Sequence, residues 1–263
     1  MKAPILNPIR FHGSAPDYNS IFPNIDNITQ RSQWFEGIFP GPWFKEWLYG
    51  KDIILQFQKE SETDTDLRLY KYNQTTETYD LQTVLFSGAD ISPVGWIGNH
   101  IYKYIISGLS EGTYYLSFAD GFCSDIFTVT NNSRLKKQLI QIVYGNTDND
   151  FGCILGAETL TQYLTGQLIA GEPVNEKSTF LSDRGELTTL RSTPQRIATL
   201  YLNDIHSTYI DHINLLFGLD YISINGIEYQ TSEVPTKEDI ENSDLVNLTV
   251  KLSQKHNDYY YVA

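Results

Sequence analysis

The sequence predicts a mainly β fold: an immunoglobulin-like antiparallel sandwich plus a second β-rich domain with one short helix. Three observations carry this. Between residues 51 and 131 the runs "DIILQFQ", "LRLYKY", "YDLQTVLF", "HIYKYIIS", "TYYLSFAD" and "DIFTVTN" follow one another. Each is short, β-branched or aromatic, and bounded by Gly, Asn, Asp or Ser, as half-buried strands are. The pair Asn225-Gly226 sits inside "YISINGIEYQ", and Asn-Gly between alternating apolar residues is a strong hairpin signal. Tyr occurs 18 times, while charged residues are only 19% of the chain; that usage suits strands and hydrogen-bonding surfaces.

Residues 1–45 come first, as an extended N-terminal arm. Six of the ten prolines lie before residue 43, and proline favours extended backbone. The same stretch holds Ile5, Leu6, Ile9, Phe11, Ile21 and Phe22, more large apolar residues than a disordered tail carries. Two readings stand, an arm lying across its own domain and an arm docking on a neighbouring subunit. The second is the expectation taken forward, with these six residues as interface candidates.

Next, Trp43, Phe44 and Trp47 sit behind Pro40 and Pro42 and run into a strand. Aromatics in a row could form a platform for sugars. Placed directly before a strand, they read instead as a plug that closes one end of a sandwich core. The sandwich is expected over 46–132. In "TYYLSFAD", Tyr114, Leu116 and Phe118 fall on one face and Tyr115 and Ser117 on the other.

The second domain is expected over 133–263. "QLIQIVYG" is a strand, 153–185 shows little pattern, and "ELTTLRS" and "QRIATLYL" read as paired strands around Thr193-Pro194. A helix is expected near 203–217, capped by Asn203 and ended by Gly218. Ile205, Tyr209, Ile213 and Leu216 line one face of it at helical spacing. In the hairpin, Ile224 should oppose Ile227 and Ile222 should oppose Tyr229, with Ser223 facing Glu228. "LVNLTVKLS" is the last strand, and the tail "NDYYYVA" offers Tyr259, Tyr260 and Tyr261 as further interface candidates, since Tyr is enriched at interfaces.

Chemistry is sparse. "GLSEG" around Ser110 matches G-x-S-x-G, but that elbow needs a strand before the Ser and a helix after it; here a strand follows, so a hairpin turn is the better reading. "NTDNDFG" offers Asn146, Asp148 and Asp150, yet the sixth and twelfth positions hold Phe151 and Ala157 where a calcium loop wants Gly and Glu. His206 and His212 are six apart rather than four, which places them on opposite sides of the apolar stripe. The expectation is no enzyme, no cofactor and no metal. A net charge of −13 with no sizeable basic cluster argues against direct nucleic-acid binding, and no apolar run is long enough to cross a membrane as a helix. Cys123 and Cys153 read as two buried thiols rather than a disulfide framework.

"WLYGKDIILQFQ", with Trp47, Asp52 and Gln56, resembles a segment of virion structural proteins of tailed phages infecting Bacteroidetes, of the crAss-like type. "RIATLYLNDIHSTYIDHINLLFGLDYISINGIEYQ" is similar to the second half of such proteins, with His212, Asn225 and Gly226 at matching positions. The resemblance implies a non-enzymatic neck or tail ring, or baseplate, subunit of the virion, assembled in the host cytoplasm. Its partners would be further copies in a homo-oligomeric ring and portal, neck or tail components. The alternative reading is a carbohydrate-binding β-sandwich module of a bacterial surface protein.

Overall fold

The computed structural model describes residues 6–12, 45–59, 66–85, 88–90, 100–118, 123–146, 159–171, 173–181, 183, 185, 187–231, 233–241 and 243–255. The chain is mainly β and builds two units, a two-sheet sandwich and a closed barrel. Of the expected residues, Ile5, Ile21, Phe22, Trp43, Phe44, Cys153, Tyr259, Tyr260 and Tyr261 lie outside the described set, as do positions 147–152 of the "NTDNDFG" loop.

The sandwich uses β1 (Phe11–His12), β2 (Lys45–Leu48), β3 (Ile53–Lys59), β4 (Leu67–Asn73), β5 (Thr78–Leu85), β6 (Gly88–Asp90), β7 (His100–Ile106), β8 (Gly112–Phe118), β9 (Cys123–Ser124) and β10 (Phe127–Thr130). In the larger sheet β4 pairs with β5 and β8, and β8 continues to β9 and β10. β2 runs parallel to β10, and β1 runs antiparallel to β9. β3, β7 and β6 form the opposite sheet. The chain passes from one sheet to the other between β2 and β3, β3 and β4, β5 and β6, and β7 and β8, and two sheets packed over one core in this way are the arrangement of an immunoglobulin-like sandwich.

Alternation fills its core. Ile53, Leu55 and Phe57 face Leu67, Leu69, Tyr114, Leu116, Phe118, Phe127 and Val129, all buried. Phe57 and Phe118 meet edge to face with ring centroids 4.7 Å apart, a favoured aromatic geometry. Tyr115 and Ser117 fall on the other face, half-buried.

A short helix, α1 (Ser133–Gln138), capped by the Asn132 side chain, leads to the second unit. Its strands are β11 (Leu139–Gly145), β12 (Leu160–Ile169), β13 (Pro173–Leu181), β14 (Leu187–His206), β15 (Tyr221–Ile224), β16 (Ile227–Thr231), β17 (Thr236–Asp239) and β18 (Leu245–Gln254). The order β14-β12-β11-β15-β16-β18 closes because β14 also pairs with β18. Closure removes free sheet edges around the barrel. α2 (Ile210–Phe217) lies between β14 and β15. The interior holds Ile140, Ile142, Tyr144, Leu160, Leu164, Leu200, Leu202, Ile222, Ile224, Leu248 and Val250 among others.

The Asn225-Gly226 hairpin has the expected register: Ile224 opposes Ile227, Ser223 opposes Glu228 and Ile222 opposes Tyr229. Both turn residues have positive φ, 50° and 86°, as a type I′ turn requires.

Three expectations need correction. "ELTTLRS" and "QRIATLYL" do not pair with each other; they are successive parts of the single strand β14. Its first half pairs with β13, which lies in the stretch that shows little pattern, and its second half pairs with β12 and β18. Pro194 sits in the half that has one ladder among the described residues, and a strand with an open edge tolerates the missing N–H. The helix spans Ile210–Phe217, not 203–217, and Asn203 does not cap it. A bulge between Leu202 and Ile205, with Asp204 at φ 56°, carries the strand on to His206 before the chain turns. Ile205, Tyr209, Ile213 and Leu216 are nevertheless all buried in the barrel. Lastly, residues 1–45 are not wholly a separate arm: residues 6–12 and Lys45 are built into the two units themselves.

Candidate functional site: a buried junction and a polar cleft

The sandwich and the barrel meet across β12. Leu160, Gln162 and Leu164 alternate onto the barrel interior, while Tyr163 between them packs in the sandwich core. The strand is covered on both faces, so its burial runs unbroken from Gln162 to Leu164. The Trp47 ring meets Tyr163 edge-on at 5.0 Å, and its Nε1 donates to the Lys51 carbonyl at 3.1 Å. Trp47 is 1% exposed, so it offers no platform to a ligand.

The N-terminal segment threads this junction. Leu6 is fully buried with the barrel core, Ile9 with the sandwich core, and Phe11 packs edge-on to Phe57 at 4.9 Å. These three, expected as contacts to another subunit, are instead committed to their own chain. The reason is that the apolar side chains of this short segment pack into the two cores, Leu6 into one and Ile9 and Phe11 into the other. The Asn7 side chain completes the fit. Its Nδ2 donates to the Gln56 carbonyl and its Oδ1 accepts from the Gln56 N–H, both at 2.8 Å. A single amide thus satisfies the buried backbone of β3 where a further strand would otherwise pair.

At the centre is Lys45. Its Nζ donates to the Pro8 carbonyl, to Gln162 Oε1 at 2.9 Å and to Tyr209 Oη at 3.1 Å. Burial drives its ammonium well below the ordinary lysine range; Asp125 pulls the other way and Arg10 adds to the fall. Tyr209 is held between Arg10, whose guanidinium carbon lies 4.7 Å from the ring centroid, and His212, stacked at 4.3 Å. Arg10 Nε bonds Asp125 Oδ2 at 2.7 Å. Tyr144 donates to the Leu6 carbonyl at 2.6 Å. Burial raises both phenols above the usual tyrosine range and lowers His206, against the pull of Asp244. His206 and His212 are both buried, one at the end of a strand and the other on α2. This assembly of polar groups is largely buried and holds segments together; sequence reasoning missed it because its members lie up to 201 residues apart.

Ser110 is exposed in the connection between β7 and β8, with a strand rather than a helix after it. Its Oγ accepts from Lys71 Nζ at 2.7 Å and shares a hydrogen bond with the Tyr114 hydroxyl at 2.9 Å. Beside it, at the end of the sandwich, a cleft of about 440 Å³ is lined by Lys71, Tyr72, Asn73, Gln74, Asp80, Gln82, Glu111, Gly112 and Thr113. Among the described residues no group of three His, Cys, Asp or Glu side chains is placed to hold a metal ion. Cys123 is buried, with Sγ 3.1 Å from Ser117 Oγ.

No protein-family model matches this chain, and no curated protein matches it either.

Proposed function

We propose that this chain is a structural subunit of a tailed-phage virion, part of a neck or tail ring held by subunit–subunit contacts. The observation that carries the reading is the β13–β14 ribbon. Residues 173–181 and 187–196 pair with each other and, among the described residues, with no third strand. A two-stranded ribbon is marginal in water by itself and gains by packing against something further. In a ring, the next copy supplies that surface, and head-to-tail contacts close when the rotation allows.

Two further features support it. The buried junction joins sandwich and barrel through side chains of both, which suits a rigid block. Three of the residues that carry the likeness to crAss-like virion proteins hold up the fold. Gln56 is fully buried against Asn7, Trp47 is at the junction, and Asn225 exchanges hydrogen bonds with the Gln141 backbone.

The ribbon also gives the test. A Cβ built on Gly171 would lie 1.3 Å from the Ile197 carbonyl oxygen, so the ribbon's two ends meet at its base and a short turn can replace 173–196. Light scattering at rising concentration, with portal and neck components added, should show assembly for the full chain. The shortened chain should stay monomeric while unfolding cooperatively. A full chain that remains monomeric with its partners, or a shortened chain that still assembles, would overturn the reading.

A further inference from the structure

We propose that the cleft at the end of the sandwich binds a short stretch of neutral polysaccharide. This goes beyond the assembly role and does not depend on it. The cleft forms where the β4–β5 turn meets the segment leading into β8, and its lining mixes every hydrogen-bonding type. Asp80 and Glu111 only accept when ionised, the Lys71 ammonium only donates, and the amides of Asn73 and Gln82 do both. A sugar hydroxyl donates and accepts at once, so a row of them can satisfy such a surface.

Other ligand classes fit less well. One ammonium against two carboxylates leaves the lining negative, which disfavours phosphates and uronates. Among the described residues Tyr72 is the one aromatic in the lining, held edge-on to Tyr79 at 5.3 Å; that suits the flank of a sugar ring better than a wholly apolar molecule. Among the described residues no third His, Cys, Asp or Glu side chain joins the two carboxylates into a cluster that could hold a metal ion.

The groups are also held in place in advance. Asn73 Nδ2 donates to Asp80 Oδ2 at 2.7 Å, and Asn73 Oδ1 accepts from the Thr75 N–H at 2.9 Å. Glu111 Oε1 accepts from the Asn131 N–H at 2.8 Å, and Ser110 Oγ anchors Lys71 Nζ. Thr78 Oγ1 also donates to Asp80 Oδ1 at 3.4 Å; a carboxylate has about four acceptor sites, so these bonds fix it and leave capacity for a ligand. Fixing side chains before binding lowers the entropy lost when a flexible glycan docks.

The experiment titrates the full chain with a set of hexasaccharides, monitored by two-dimensional NMR. The set is malto-, manno-, xylo-, cello- and chitohexaose, with hexagalacturonate and inorganic phosphate as anionic probes. At least one neutral hexasaccharide should give saturable shifts centred on Tyr72, Asn73, Gln82 and Glu111. Gln82→Ala and Asp80→Asn should each weaken that binding about tenfold, as loss of a ligand hydrogen bond does. Gln82 is exposed, so its variant should keep the parent's unfolding midpoint, which separates lost contact from lost fold. Saturation by the anionic probes alone, neutral binding mapped elsewhere, or no saturation by any member of the set would each overturn the proposal.

Discussion

Asn7→Ala should destabilise the whole chain, although residue 7 lies in a proline-rich segment that reads as an arm. The side chain makes two hydrogen bonds of 2.8 Å with the Gln56 backbone, and both residues are buried. Truncation leaves an N–H and a carbonyl without the partner they now have. An orphaned buried group costs about 1–3 kcal/mol, so two orphans give roughly 2–6 kcal/mol before relaxation. In a chain of this size about 2–4 °C of melting temperature follows each kcal/mol, so the midpoint should fall by roughly 5–20 °C. Circular dichroism on heating measures the midpoint, and urea titration measures the free energy. Asn7→Asp is the informative control. One carboxylate oxygen still accepts from the Gln56 N–H, but the other faces the Gln56 carbonyl, acceptor against acceptor. That variant should therefore also lose stability, and lose more at neutral than at acid pH, where a protonated carboxyl can donate. A loss under about 0.5 kcal/mol for Asn7→Ala, the scale of an ordinary surface substitution, would show that the segment is not integral and would refute the argument.

Leu6→Ala, at a fully buried position in the barrel core, should cost about 2–5 kcal/mol in urea titration, an outcome that a loose arm would not give. Gly166→Ala should be at least as harmful, because the added Cβ would lie 2.2 Å from the Tyr201 carbonyl oxygen in a ladder that cannot spread; expression as soluble protein and the melting midpoint report it. Alkaline pH should unfold the chain steeply once past about 10, the ordinary tyrosine value. The folded state holds Tyr79, Tyr144, Tyr163, Tyr209 and Tyr229 above that value by burial, so their stabilisation is full below it and is lost as pH rises. Lys45, shifted down, works the other way: it favours folding increasingly up to about 10.5 and adds nothing beyond. The absorbance of these five tyrosinates should therefore appear only with the loss of circular dichroism, and formation of all eighteen tyrosinates before structure is lost would contradict this.

The sandwich was legible because its strands alternate. Ile53, Leu55 and Phe57 on β3 and Tyr114, Leu116 and Phe118 on β8 carry an apolar period of two, and the Asn225-Gly226 turn fixes its own register. What stayed hidden needs partners far along the chain. β2 spans only "KEWL" and exists because β10 runs parallel beside it. β13, "PVNEKSTFL", has little alternation and is a strand because β14 pairs with it. The helix start was misplaced for a related reason. Ile205, Tyr209, Ile213 and Leu216 do share one side, but a strand end, a 3₁₀ turn and a helix together produce that spacing. The junction could not be read at all: nothing local marks Lys45 as buried, and lysine is rarely so. The cleft draws on β4, β5 and the start of β8, which are adjacent only after folding.

A buried lysine at the meeting of two domains also says why they meet in one way. An apolar side chain in its place would pack against several slightly different arrangements with similar energy. The Lys45 Nζ makes three directional hydrogen bonds, to the N-terminal segment, to β12 and to the residue that precedes α2. Sliding the barrel along the sandwich by even one residue would leave a desolvated donor unpaired, which is expensive where no water can substitute. Pro8 takes part through its carbonyl, so the N-terminal segment is one leg of the tripod and not a covering added afterwards. Docking of the two units and docking of residues 6–12 are therefore a single step, and the chain should unfold in one transition even though it contains two cores.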